Sequence, residues 1–273
     1  MEVKIMERIE VKVIHDKIID WIKDWFKDKN GPAIVGISGG KDSTICAALL
    51  TEALGKERVI GVMMPNGEQK DINDSKKVCE LLGIKNLTVN IGNAYKILTG
   101  DICVGIMNDV ADGNLKNEIP SLYSTNTPAR LRMTTLYGVA AIFNGFVCNS
   151  CNFSEDFVGY SSKYGDAAGD FSLLNRLTKT EVVELGDYMN LPKELVHKTP
   201  SDGMCGKSDE DNMGFTYEVL DTYILDGLPP KSLEVYNKIM KMHNNPNTKY
   251  KCVDMPSALS DIRPASPELV MKL

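Results

Sequence analysis

Over residues 8–29 the apolar side chains Ile9, Val13, Ile14, Ile18, Trp21, Ile22, Trp25 and Phe26 recur at three- and four-residue steps with Lys, Asp and Glu between them. That spacing predicts an amphipathic helix. An unbroken apolar run at 33–37 then reads as a buried strand. The pattern goes on to alternate: a helix over 43–54 closed by Gly55, a strand over 58–63, a helix over 72–82 closed by Gly83, and a third strand over 87–91. Helices are expected at 94–107 and 128–143 on either side of a polar stretch at 108–118, and 146–150 reads as a further strand. From 151 to 175 no period holds, and a loop of that length in a compact domain is usually functional. Later helices are expected at 179–189, 214–225 and 231–243, ahead of a tail from residue 244 rich in Pro and Asn. Strand-helix alternation of this kind implies right-handed crossovers, hence an α/β fold with a doubly wound parallel sheet flanked by helices. Ligands bind beyond the carboxyl ends of such sheets.

Composition narrows the partners. The 273 residues suit one domain over 1–273, with 1–30 as an N-terminal amphipathic helix and 244–273 as a tail. Thirty-one basic residues against 37 acidic ones leave a net charge of −6 and no global attraction for nucleic acid. The first ten residues lack a continuous apolar stretch, so neither a signal peptide nor a membrane span is expected, and the cytoplasm is the expected location. Seven cysteines, an odd set spread through apolar surroundings, read as reduced and mostly buried. Cys148 and Cys151 form a C-x-x-C, but no second pair or His pair completes a zinc site and no helix opens at the first thiol.

The run from Ala33 to Thr44 collapses from apolar residues into Gly36-Ile37-Ser38-Gly39-Gly40-Lys41-Asp42-Ser43. Glycines there let backbone approach an anion, and a helix start adds about half a positive charge. A Walker A loop is excluded, because Val35 stands where its first glycine should be and Asp42 follows the lysine in place of a hydroxyl. S-G-G-K-D-S resembles the pyrophosphate loop of ATP pyrophosphatases, whose adenine nucleotide alpha hydrolase-like fold the resemblance implies. Those enzymes split ATP between its α and β phosphates and adenylate a second substrate.

Four more polar clusters follow: N-T-P-A-R-L-R-M at 126–133, N-F-S-E-D at 152–156, G-Y-S-S-K-Y-G-D-A-A-G-D at 159–170 and S-D-E-D-N-M-G at 208–214. Together with the loop they resemble the NAD synthetase family over roughly residues 11–251. The resemblance implies ATP-dependent amidation of deamido-NAD through an adenylate, with Mg²⁺ and a homodimer. It places ATP on Gly36 to Ser43 and near Gln69, Ser150, Lys179 and Ser201. It gives Mg²⁺ to Asp42 and Glu155, and the dinucleotide to Arg130, Lys163, Asp170, Tyr250 and Lys251. The tail would close over bound substrate. Lys179 would meet the transferring phosphate beside Asp42. Asp166 reads equally as an ammonia-site base or as a turn acid capping the next residues. About thirty residues ahead of the loop are too few for an amidase domain, so free ammonia is the expected nitrogen donor.

Some positions depart from the family pattern. Asn149-Ser150 stands where Gly-Thr is frequent, Leu173 where proline is usual, Tyr250 in place of a histidine, and Met63 where some members carry an arginine. Arg132, two positions beyond Arg130 on the same expected helix, points elsewhere and reads as structural. Trp21, Trp25 and Phe26 form a stripe broader than one strand face needs, which suggests a subunit contact. Two rival functions share the loop: a tRNA sulfur-transferring ATP pyrophosphatase using Cys148 and Cys151, and a non-catalytic adenine-nucleotide sensor.

Overall fold

The computed structural model describes residues 6–69, 72–109, 121–198, 208–245 and 255–263. Ser201, Tyr250 and Lys251 therefore lie outside the described residues. Five strands form one parallel sheet: β1 (Ala33–Gly36), β2 (Val59–Met63), β3 (Lys85–Thr88), β4 (Phe146–Asn149) and β5 (Phe171–Ser172), in the order β3-β2-β1-β4-β5. From β1 the chain winds outward through β2 to β3 and then returns to the other side of β1 as β4, so the crevice between β1 and β4 is the switch point where such sheets bind ligands.

Helices cover both faces. On one side α1 (Val11–Trp25), α2 (Lys41–Leu54) and α7 (Lys179–Tyr188) enclose a core of Ile18, Ile22, Leu49, Val182 and Leu185 against Val35 and Phe171. On the other, α5 (Ser121–Phe143) packs Met133, Leu136 and Val139 on Ile34, Val62 and Val147. A third cluster joins α6 (Phe153–Val158), α10 (Tyr217–Asp226) and α11 (Leu233–His243) through Phe153, Phe157, Leu220, Ile224 and Ile239. The remaining helices are α3 (Ile72–Leu82), α4 (Gly92–Asp109), α8 (Lys193–Val196) and α9 (Asp209–Met213). Among the described residues no helix is long and apolar enough to cross a membrane.

Several expectations are corrected. The third strand lies two residues earlier than its apolar run suggests: Lys85, Asn86 and Thr88 are exposed at the sheet edge, so polar residues occupy strand positions. Helix α5 starts at Ser121, seven residues before Pro128, which lies buried inside it. Segment 151–175 is not a structureless loop. It holds α6, opened by a capping box in which Asn152 accepts from the Glu155 amide while Glu155 reaches back to the Asn152 amide, and it holds β5.

The aromatic stripe of α1 is used within the chain. Trp25 lies 4.6 Å from Phe171 and 5.3 Å from Phe146 between ring centres, and Phe26 is fully buried beside the same two rings. Among the more exposed apolar side chains are Ile97 and Val104 on α4 and Leu122, Ile142 and Phe143 on α5. Of the tail, residues 255–263 are packed on the fold. Residues 255–263 run beside β5, where the Ser172 amide donates to Pro256 O, Leu259 enters the core, and Arg263 forms a buried ion pair with Glu181 of α7.

Candidate functional site

The loop after β1 turns at Gly39, whose φ of +79° belongs to the left-handed region. A β-carbon there would also meet the Ser75 amide nitrogen at 2.9 Å, so both conformation and space demand glycine. Ser43 Oγ accepts from the Ser38 amide at 3.3 Å and donates to Gly40 O at 3.1 Å, folding the loop onto the first turn of α2. That helix begins at Lys41, two residues earlier than the sequence suggests, which puts Lys41 and Asp42 in its first turn. The first amides of a helix have no intrahelical partner, so this turn faces the crevice as an anion site.

Three expected residues meet at the crevice although up to 137 positions separate them. The Lys179 ammonium donates to Asp42 Oδ2 and to Glu155 Oε1, each at 2.9 Å, and its side chain is 5% exposed. Asn152 Nδ2 donates to Asp42 Oδ1 at 3.0 Å, so one residue both caps α6 and orients Asp42. Burial opposes the charge on Lys179, but the two carboxylates outweigh it and hold the ammonium well above its usual range. Burial pushes the Glu155 carboxyl up to about 7, against the pull of Lys179. Lys41 is buried beside this group and shifted down, first by burial and then by Lys179.

Beneath the cluster is a carboxylate that the sequence analysis did not single out. Asp221 of α10 accepts from the Thr180 amide and Thr180 Oγ1, each at 2.7 Å, and from Ser154 Oγ. Ser154 Oγ in turn accepts from the Lys179 amide at 2.9 Å. The first turns of α6 and α7 are thereby locked together, and with them Glu155 and Lys179. Burial raises Asp221 to about 6, against those hydrogen bonds. Nothing local in the sequence marks Asp221, but N-x-x-E at 152–155 and T-x-x-E at 178–181 are legible as capping boxes and would have located α6.

The expected dinucleotide residues divide. Arg130 Nε donates to Lys163 O at 2.9 Å, so these two are neighbours. Asp170 instead accepts from the Val147 amide at 2.7 Å and from Tyr137 OH at 3.3 Å, against β4 and α5. Asp166 is exposed, and its carboxylate accepts from Ser162 Oγ at 2.8 Å and from the Ser162 amide at 3.3 Å, behind it in the chain. Ser150 follows β4 at its carboxyl end, and Gln69 precedes α3. Arg132 Nε donates to Met64 O at 3.1 Å, at the end of β2.

Asn149, one of the departures, is built into the fold. Its side-chain amide donates to Asp166 O at 2.6 Å and Ala168 O at 2.8 Å and accepts from the Cys151 amide at 2.9 Å. Leu173 is fully buried in the main core, and Met63 is buried too. In S-D-E-D-N-M-G, Ser208 and Asp211 make a capping box and Gly214 the left-handed C-cap of α9. The C-x-x-C thiols are both buried and go to different carbonyls, Cys148 to Asn149 O and Cys151 to Asp166 O. A sulfur carrier needs an accessible thiolate.

Fold and site together define an α/β protein of the loop-and-switch-point kind, in which two carboxylates and a lysine meet at a glycine-rich loop on a helix N-terminus. The NAD synthase family model matches residues 14–257. The chain is 38% identical over 217 residues to the NH(3)-dependent NAD(+) synthetase of Methanocaldococcus jannaschii, covering 77% of this chain and 79% of that protein. It is 33% identical over 248 residues to that of Carboxydothermus hydrogenoformans, covering 88% and 96%. Among solved structures, the NMN synthetase from Francisella tularensis superposes with a TM-score of 0.77 at 30% identity, covering 89% of this chain and 97% of that one. The chain belongs to the NAD synthase family.

Proposed function

We propose that this protein is an ammonia-dependent NAD synthetase, a carbon–nitrogen ligase that adenylates the carboxylate of deamido-NAD with ATP and lets ammonia displace AMP. The observation that carries the reading is the junction of Asp42, Glu155 and Lys179 at the N-terminus of α2, beyond the carboxyl edge of the sheet.

A carboxylate must be activated before ammonia can replace its oxygen, because oxide is too poor a leaving group, and adenylation turns that oxygen into AMP. The attack brings a carboxylate against a polyanion, so catalysis depends on positive charge fixed at the α-phosphate. The amides of the loop and first turn of α2, from Gly36 to Ser43, bind the phosphates. Lys179, charged throughout the neutral range, leaves its carboxylate partners for the transferring phosphate. Asp42 and Glu155 fit Mg²⁺: they are hard donors that already share a cation between them, and Mg²⁺ commonly takes one or two carboxylates plus phosphate oxygens. Bound there, the ion would neutralise phosphate charge.

Arg130 and Lys163 are assigned to the dinucleotide, together with Asp170, Tyr250 and Lys251, and Gln69, Ser150 and Ser201 to ATP. Asp166 attracts ammonium and takes its proton before attack, freed from Ser162 for that step. The homodimer is assigned to the exposed apolar side chains of α4 and α5 in preference to α1, where Phe26 is buried and Trp21 and Trp25 are partly covered by rings of the same chain. A cytoplasmic setting accords with the free thiols of the described cysteines.

Likeness to an NMN synthetase favours a second reading in which the acceptor is the mononucleotide, with unchanged chemistry. The test incubates the protein with ATP, Mg²⁺ and ammonium plus deamido-NAD or nicotinate mononucleotide, and measures NAD or NMN, AMP and pyrophosphate. Stoichiometric NAD, AMP and pyrophosphate are expected. Preferential NMN formation would move the acceptor to the mononucleotide. ATP binding without pyrophosphate release would leave only a nucleotide sensor.

A further inference from the structure

Tyr217, the first residue of α10, is 4% exposed, and its hydroxyl is buried without a hydrogen-bond partner among the described residues. Its ring lies under the Lys179 ammonium, 4.9 Å from nitrogen to ring centre. Burial, then the charges of Glu155, Asp209 and Asp42, keep the phenol far above its ordinary pKa, so it remains a neutral donor. A buried hydroxyl left unpaired destabilises a fold, and natural proteins rarely keep one without a use. Phenylalanine would fill the same space without that cost. The ring that carries this hydroxyl lies under the cation expected to move when nucleotide enters.

We infer that Tyr217 is a further member of the ATP site: its ring supports the Lys179 ammonium before ATP binds, and its hydroxyl then donates to an anionic phosphate oxygen of the nucleotide. The inference rests on the proposed placement of ATP at the loop. Supplying that acceptor exchanges an unpaired donor for a charge-assisted hydrogen bond, so the cost carried by the free protein returns as affinity for nucleotide. Asp221 lies one turn further along α10 and holds the backbone of Lys179 through Ser154, so this one helix supports the lysine at both ends.

Tyr217→Phe and Tyr217→Leu test the assignment in the full chain, by thermal melts with and without Mg²⁺ and α,β-methylene ATP and by steady-state kinetics with each substrate varied. Without nucleotide, Tyr217→Phe should melt higher than wild type by roughly 2–4 °C. Its stabilisation by the analogue should shrink, and its KM for ATP should rise about 10-fold or more, the effect of losing a hydrogen bond to a charged group. The KM for deamido-NAD should stay within about twofold, since a loss of this kind follows the substrate that makes the contact. Tyr217→Leu, lacking the ring as well, should also lower kcat; if it does not fold, the phenylalanine variant decides alone. An unchanged KM for ATP with an undiminished analogue shift would overturn the inference. So would a lower melting temperature without nucleotide, which would reveal a structural partner. A rise confined to the KM for deamido-NAD would put the acceptor on the carboxylate being amidated and refute the phosphate assignment. Failure of the wild type itself to bind the analogue or form NAD would defeat the ATP-site reading, a result distinct from any of these.

Discussion

Asp42→Asn separates the chemistry of the site from its stability. In the folded protein one oxygen of Asp42 accepts from Asn152 at 3.0 Å and the other from Lys179 at 2.9 Å. Asparagine keeps the shape but has a single acceptor. With that oxygen turned to Lys179, its amide meets the amide of Asn152, donor against donor, and one hydrogen bond is lost, worth about 0.5–1.5 kcal/mol. The lost attraction for Lys179 is offset in part, because Glu155 still pairs with the ammonium and no longer faces a second carboxylate. The net destabilisation should be about 1–2 kcal/mol, a shift of roughly 2–8 °C for a chain of this size. Typical domains have about 5–15 kcal/mol in hand, so the variant stays folded. Catalysis loses far more: removing a charge that acts on the transferring group costs typically about 10²- to 10³-fold in rate. Circular dichroism melts and NAD formation across a Mg²⁺ titration measure the two effects. Wild-type turnover at saturating Mg²⁺ would show that Asp42 serves only as a turn residue and would refute the reasoning.

Asp221→Asn should flatten the acid side of the stability profile. The folded carboxyl is raised to about 6 from 3.8, so its contribution is fully present below the unfolded pKa and is lost as pH rises through about 6. That contribution is about 3 kcal/mol, and urea midpoints between pH 4 and 7 that keep the wild-type slope in the variant would contradict the assignment. Asn149→Gly, although it restores a frequent family residue, should destabilise by about 2–3 kcal/mol because two loop carbonyls lose their donor. An unchanged denaturant midpoint would show that the amide contributes nothing. Ile142→Glu, on a side chain 79% exposed on α5, should give a folded monomer by light scattering, and a persistent dimer would remove this face as the interface. Ammonium should support NAD formation where glutamine free of ammonium does not, and equal rates with both would reverse the expected donor.

The glycine-rich loop and the parallel α/β sheet were legible from local patterns. An apolar strand running into Ser38-Gly39-Gly40-Lys41-Asp42-Ser43 has one practical conformation, and strand-helix alternation has one practical handedness. Glu155 and Lys179 were identified through the resemblance, since an isolated lysine carries no local mark of burial. Other features were hidden for identifiable reasons. β3 is an edge strand with polar residues on both faces, and α5 continues through Pro128 because tertiary packing overrides a local breaker.

By itself the sequence determined which residue types could bind and activate nucleotide, and that α1 would bury one face. Only the tertiary structure decided that Trp25 packs on Phe146 and Phe171, and that α6 brings Glu155 to Lys179. It alone placed Asp221 and Tyr217 beneath that lysine, across 42 and 38 positions of chain from Lys179. Such contacts are set by how helices pack on the sheet, and the free energy that fixes them belongs to burial shared among distant segments, which leaves no periodic or local signature in any one of them.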